Sequence, residues 1–258
     1  MPEYKRNKLR TALQIVRGVE NWPTALDLRL RRSRRCLRML SFRDGLNLVC
    51  RGGTRDWDVA HELLFAGGYR RAFDYLSGLP VTPLVLDLGG NLGLFSLLAA
   101  RANPRAEIFA YEPGPPNHRL FEMNLLANPS LASRVHLRKE AVGGSTRQTE
   151  WFFDSANPGG SSLFGSGDEK FTVQIRAFAE VVAALPGPVA LAKIDIEGAE
   201  FELLAATPPE VWRRIGAVSL ELHDDPAKKT SQADFIKQLG RHGFTVEEES
   251  VCSYFFHR

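Results

Sequence analysis

The chain has 258 residues, 44% of them hydrophobic and 24% charged, which excludes a disordered or fibrous protein. Its net charge of +3 is unevenly spread: residues 1–56 carry 14 Lys and Arg against 5 Asp and Glu, a balance of +9, and the remainder carries −6. No apolar run reaches the roughly 18 residues of a membrane span, MPEYKRNKLR has no hydrophobic leader core, and Cys36, Cys50 and Cys252 form no CxxC pair, so a zinc site and a disulfide framework are not expected and the expected location is cytoplasmic.

Residues 1–40 read as basic and partly helical. Asn21-Trp22-Pro23-Thr24 interrupts them, Thr24 is placed to cap a second helix, and Leu26, Leu30, Leu37 and Leu40 recur at helix-compatible spacings among arginines. Asp44-Gly45, set between short alternating segments, reads as a hairpin turn with positive φ at both central positions. Residues 57–77 read as a helix weakened by Gly67-Gly68.

From residue 83 short apolar runs alternate with helical stretches, the pattern of a doubly wound α/β sheet. Strands are expected at Leu84–Leu88, Glu107–Tyr111, 135–142, Val189–Ile194, 217–222, 244–248 and 251–256. Only Glu249-Ser250 separates the last two, which demands an antiparallel hairpin. Residues 145–176 read as a hairpin insert, with flanking strands at 150–153 and 171–176 around a loop containing Asn157-Pro158-Gly159-Gly160-Ser161-Ser162. Long loops of this kind are often lids or binding loops, and Ser161 and Ser162 are candidate substrate contacts. The expected partition is a basic helical and hairpin extension over 1–56 and a ligand-binding α/β domain over 57–258.

The segment Val85-Leu86-Asp87-Leu88-Gly89-Gly90-Asn91-Leu92-Gly93 runs from an apolar strand into glycines that let a ligand approach the backbone. A GxGxxG fingerprint fails at Asn91 and Leu94, and no Lys-Ser/Thr completes a phosphate loop. Asp-x-Gly-x-Asn-x-Gly places a carboxylate beside the close-approach glycines, which suits a ligand with a cationic end and no phosphate. S-adenosylmethionine meets both conditions. Glu112 ends the next strand, 23 residues after Gly89, near the spacing at which an acid hydrogen-bonds ribose hydroxyls in nucleotide-binding α/β folds.

Leu86-Asp87-Leu88-Gly89-Gly90-Asn91-Leu92-Gly93, Tyr111-Glu112-Pro113, Glu140-Ala141-Val142-Gly143 and Lys193-Ile194-Asp195-Ile196-Glu197-Gly198-Ala199-Glu200 together resemble the FkbM family of S-adenosylmethionine-dependent methyltransferases. Arg43-Asp44-Gly45 and Gly68-Tyr69 extend the resemblance upstream, and the Lys-x-Asp-x-Glu-Gly-x-Glu block is its most specific part. The resemblance implies a Rossmann-like class I methyltransferase fold with a seven-stranded, mostly parallel sheet, and usually O-methylation of a sugar, glycolipid or polyketide hydroxyl. It places Asp87, Gly89, Gly90, Asn91 and Gly93 around the methionine and ribose of the cofactor, Glu112 on the ribose, and Ala141 and Val142 near the adenine.

Methyl transfer to an alcohol needs alignment of the nucleophile and gains from a base. Asp195 ends an apolar strand and is the first candidate base; Lys193 and Glu197 alternate with it and are expected to face the same acceptor. Glu200 reads as a carboxylate favoured at a helix N-terminus. His223, after the next strand, is the second candidate base, with Asp224 or Asp225 to orient it and Glu221 on the rim. Asp195, Glu197, Glu221 and His223 would also suit Mg²⁺ or Mn²⁺, although the favoured reading assigns no metal. Arg29, Arg31, Arg32, Arg34, Arg35 and Arg38 form a basic cluster compatible with a solvated helix face, an anionic membrane surface or steering of an anionic substrate; nucleic acid is not expected, since no stacking-aromatic module accompanies the charge. The expected partner is a small-molecule or glycan acceptor. N-methylation of an amino sugar or peptide, and a non-catalytic cofactor-binding protein, are the alternatives.

Overall fold

The computed structural model describes residues 11–30, 36–153, 169–227, 229–250 and 253–258. Residues 11–18 and Trp22–Arg29 are helical, and β1 (Leu37–Ser41) pairs antiparallel with β2 (Asn47–Arg51). After helix Asp56–His61, a π turn over Glu62–Ala66 and helix Arg70–Ser77, the chain enters β3 (Leu84–Leu88), β4 (Glu107–Tyr111) and β5 (Val135–Arg138). β6 (Ala141–Gly143), β7 (Arg147–Phe153) and β8 (Glu169–Ala177) follow, and then β9 (Val189–Ile194), β10 (Ile215–Glu221), β11 (Thr245–Ser250) and β12 (Ser253–His257).

The main sheet has seven strands in the order β11-β12-β10-β9-β3-β4-β5. β3, β4, β5, β9 and β10 run parallel, and β12 is antiparallel to both β10 and β11. This is the expected mostly parallel sheet with an antiparallel C-terminal hairpin. From β3 the chain winds outward to β5, then returns to place β9 on the other flank of β3. That reversal is a topological switch point, where ligands bind beyond the carboxyl ends of the strands.

Side-chain alternation makes both faces of the sheet apolar. Leu86, Leu88, Ala192, Ile194, Val218 and Leu220 pack with Phe178 and Trp212 on one face, and Val85, Ile108, Ala110, Leu191 and Ala217 pack with Phe95 and Ala99 on the other. Each fully buried leucine or isoleucine stabilises the fold by roughly 1.5–3 kcal/mol. A third cluster joins Ile15, Val19, Leu28, Leu40, Leu48 and Trp57 to Leu94, Leu97, Leu98 and Leu120, so the described N-terminal residues share a core with the helices beside the main sheet. Asn124 Oδ1 accepts from Val49 N at 2.6 Å, and Asn128 Nδ2 donates to Asn47 O at 2.6 Å, which fastens β2 to the neighbouring helix.

Several local expectations are corrected. Leu37 and Leu40 lie in β1, not in a helix. Thr24 is not a cap: Asn21 precedes the helix, and its side chain instead bonds Met39 O and Ser41 N in β1. The hairpin turn is longer than two residues, with Phe42 N donating to Leu46 O and only Gly45 at positive φ. The helix expected over 57–77 is interrupted, because Gly67 adopts φ +87° and Tyr69 φ +58°. The strand expected over 135–142 is two strands: β5 belongs to the main sheet, and β6 belongs to a three-stranded sheet ordered β6-β8-β7. The insert hairpin exists as antiparallel β7 and β8, clamped to helix Glu200–Ala206 by Arg147, which donates to Glu202 Oε1 and Oε2 at 2.5 and 2.7 Å. Arg31, Arg32, Arg34, Arg35, Ser161 and Ser162 lie outside the described residues. No described helix is long and apolar enough to cross a membrane.

Candidate active site

The turn after β3 divides a cleft at the switch point into two lobes. The first is lined by Tyr111, Glu112, Asn117, Ala141, Val142 and Trp151 among others. The second lies on the side of Glu62, Tyr69, Lys193 and Glu221. Gly89, Asn91, Asp195 and Glu197 border both lobes and form the seam between them.

Backbone geometry explains the seam. Gly89 sits at φ +82°, and a β-carbon there would overlap the Asp195 carbonyl oxygen. Only a residue without a side chain lets the turn after β3 meet the turn after β9 in this way. Asn91 and Glu197 also hold left-handed conformations, at φ +47° and +53°, a strained backbone of the kind that clusters at functional sites.

In the first lobe, Glu112 is buried. Its Oε2 accepts from Asn91 N and its Oε1 from Gly114 N, both at 2.8 Å. Burial pushes its pKa up to about 7, against the pull of these two hydrogen bonds. Asn91 Oδ1 and Trp151 Nε1 are buried polar atoms with no partner among the described residues. Asn117, which lines this lobe, accepts from Arg51 of β2 through its Oδ1 at 2.9 Å.

The second lobe is rich in carboxylates. Lys193 is buried and donates to Gly89 O at 2.7 Å, with Asp195 Oδ2 at 2.9 Å and Asp87 Oδ1 at 3.7 Å. Burial lowers the Lys193 pKa, but Asp195 and Asp87 outweigh it and push it up to about 12. Asp195, followed by burial, raises Glu221 to about 7. Burial, followed by Asp195, raises Glu197 to about 8. Tyr69 Oη donates to Glu221 Oε2 at 3.3 Å.

His223 stands behind the seam, between two carboxylates. Nδ1 is 3.0 Å from Glu200 Oε1 and Nε2 is 3.3 Å from Glu197 Oε2. Burial lowers its pKa, but Glu200 and Glu197 outweigh it and raise it to about 9. The imidazole is therefore a cation near neutral pH, a donor and not a resting base. Glu200, fully buried, orients it in place of Asp224 or Asp225; Asp225 accepts from the backbone of Ala227, Lys229 and Thr230 instead. Donor atoms of Asp195, Glu197 and His223 come within 4.8 Å of one another.

The structure thus brings Gly89, Asn91, Glu112, Ala141, Val142, Lys193, Asp195, Glu197 and Glu221 to the cleft. Gly90 borders only the second lobe. Asp87 and Gly93 line neither lobe. Asp87 is fully buried, accepting from Ser96 Oγ at 2.6 Å, and Gly93 is pressed against the Phe121 ring; both support the turn from behind. Sequence reasoning missed Glu62, Tyr69, Trp151 and the role of Glu200. The apolar context of β7 marks Trp151 as a core residue, and only the folded hairpin turns it toward the ligand lobe.

Residues 87–246 match the model of the methyltransferase FkbM domain. Methyltransferase 1 of Beauveria bassiana is 27% identical over 195 residues, covering 66% of this chain and 75% of the relative. The 31-O-demethyl-FK506 methyltransferase FkbM of Streptomyces tacrolimicus is 24% identical over 196 residues, covering 64% and 74%. Among solved structures, the bifunctional kinase-methyltransferase WbdD matches at TM-score 0.50 and 18% identity over 80% of this chain and 42% of that one, a likeness of fold. A methyltransferase FkbM from Methylobacillus flagellatus matches at TM-score 0.47 and 13% identity over 71% of this chain, which spans 48% of that protein's length. The chain belongs to the FkbM methyltransferase family, whose members depend on S-adenosylmethionine.

Proposed function

We propose that the protein transfers a methyl group from S-adenosylmethionine to a hydroxyl of a sugar, glycolipid or secondary metabolite, with Asp195 as the base. The observation that carries this reading is the position of Asp195 on the seam between the two lobes. A methyl group held there would face a cofactor on one side and an acceptor on the other.

The first lobe suits the adenosyl part of the donor. Its lining includes no Lys or Arg, as expected for a ligand without phosphate. Glu112 offers acceptors, Asn91 Oδ1 and Trp151 Nε1 have no partner among the described residues, and Ala141, Val142 and Ile196 supply apolar wall. When bound, S-adenosylmethionine supplies an electrophilic methyl on a sulfonium.

The protein's own groups do the rest. Lys193 pins the Asp195 carboxylate through the 2.9 Å contact, so that it can receive the proton of an acceptor hydroxyl, a role worth roughly 10²–10⁴ in rate. Alignment of the reactants by the two lobes contributes up to about 7–11 kcal/mol. Glu197 and Glu221 line the acceptor lobe, and His223, charged and locked by Glu200 and Glu197, holds Glu197 in place. The Streptomyces relative's name specifies methylation at an oxygen, which supports O-transfer. Incubation with methyl-labelled S-adenosylmethionine and a panel of hydroxylated and amine-bearing acceptors tests the reading. Label recovered in an ether linkage supports it, and label on nitrogen alone replaces it with N-methylation.

A further inference from the structure

Among the described residues of the hairpin insert, Trp151 is the one that borders the first lobe. Its ring is 6% exposed and packs with Val173 and Phe171 of β8, where Trp151 and Phe171 are cross-strand partners. The indole N–H nevertheless has no partner among the described residues, although the side chain borders the lobe. A buried donor without an acceptor is unfavourable, and such groups in native proteins usually meet a ligand or water.

The acceptor it awaits can be read from its neighbours. A β-carbon on Gly114 would meet Glu112 Oε1 at 2.9 Å and Trp151 Nε1 at 3.3 Å, so the carboxylate and the indole nitrogen lie close together beside Gly114, and both residues line the first lobe. A carboxylate only accepts, and an indole N–H only donates. A vicinal diol satisfies both, since each hydroxyl can donate to one group and accept from another.

We propose that Trp151 is a specificity-determining residue of the cofactor lobe, donating its indole N–H to the ribose diol of the bound nucleoside that Glu112 holds from the other side. The insert hairpin then serves cofactor recognition through its β7 strand. The inference rests on the cofactor reading given above.

Binding of S-adenosylhomocysteine tests it. In the unaltered protein, addition of S-adenosylhomocysteine shifts one indole ¹⁵N–¹H resonance downfield, and that signal is absent from Trp151→Phe. Trp151→Phe, which keeps an aromatic plate and removes the donor, binds about 3- to 10-fold more weakly. The loss shrinks to within twofold when a 2′- or 3′-deoxyribose analogue replaces the ligand, because the same hydrogen bond is already missing. Three results overturn the inference: no indole signal moves, Trp151→Phe binds as well as the unaltered protein, or the variant loses equally with both deoxy analogues. If the unaltered protein itself fails to bind at millimolar ligand, the cofactor reading falls and takes this inference with it.

Discussion

Gly89 and Asp195 meet backbone to backbone. A β-carbon on Gly89 would overlap the Asp195 carbonyl oxygen, and Asp195 N donates to Leu88 O at 3.2 Å. The glycine of one turn and the candidate base of another are thus one structural unit, and the spacing of the two lobes depends on it. Gly89→Ala would add both this overlap and the strain of a side chain at positive φ, about 1–3 kcal/mol for the strain alone. The expected outcome is a lower melting temperature together with S-adenosylhomocysteine binding weakened by more than tenfold. Gly93→Ala, whose added carbon meets the Phe121 ring, should affect stability more than binding.

With the proposed ribose contact, Glu112 is expected to make cofactor affinity depend on pH. Burial holds its pKa near 7 in the free protein, so much of it is protonated at pH 6. Ribose hydroxyls donate to the ionised form, which lowers its pKa on binding and releases a proton. Affinity for S-adenosylhomocysteine should therefore rise as pH goes from about 6 to 8 and level off above. Calorimetry in buffers of different ionisation enthalpy measures the proton released. Glu112→Gln should bind more weakly and show no such slope.

His223 is expected to contribute to stability and not to act as the base. Its folded pKa near 9 lies above the unfolded value near 6.5, so its contribution is fully present below about pH 6.5 and is lost as pH rises through 9. His223→Gln should cost about 1–3 kcal/mol at pH 7, because Glu200 is left buried without its cation, and the cost should fade by about pH 10. Denaturant titrations at both pH values measure this. Turnover of the unaltered protein should show no rise with an apparent pKa near 9, as a deprotonated-histidine base would require.

Asp195, Glu197 and His223 bring three metal-compatible donors together, yet each already faces a protein cation or is one. Lys193 stands at Asp195, and protonated His223 at Glu197. Turnover in excess EDTA should equal turnover without it. A loss that Mg²⁺ or Mn²⁺ restores would reassign these side chains to a metal.

The strands were legible where an apolar run stops at a glycine or an acid. Leu84–Leu88, Glu107–Tyr111 and Val189–Ile194 are placed with the boundaries expected from the sequence, since Gly89, Glu112 and Asp195 each mark a strand end at the cleft. The run from Val135 to Val142 hides a break, because β5 and β6 pair with different sheets and no residue between them is a strong breaker. Leu37 and Leu40 fit helical spacing as well as they fit a strand, and pairing with β2 decides between the two.

The candidate site divides the same way. Gly89, Gly90, Asn91, Glu112, Asp195 and Glu221 announce themselves by position along the chain and line the cleft, whereas Asp87 and Gly93 of the same motif support it from behind. Glu62, Tyr69 and Trp151 arrive from a π turn, a left-handed residue and an inserted hairpin, which no local pattern relates to the switch point. Glu200 looks like an ordinary helix-start acid, and its role appears only when His223, 23 residues later, folds back against it.

The proposed role of Asp195 is in the chemistry at the seam and not in cofactor binding. Measuring turnover and S-adenosylhomocysteine affinity together for Asp195→Asn tests it most directly. Turnover should fall by about 10²-fold or more with the dissociation constant within about threefold of the unaltered protein. Unaltered turnover, or a loss of turnover matched by an equal loss of binding, would contradict it.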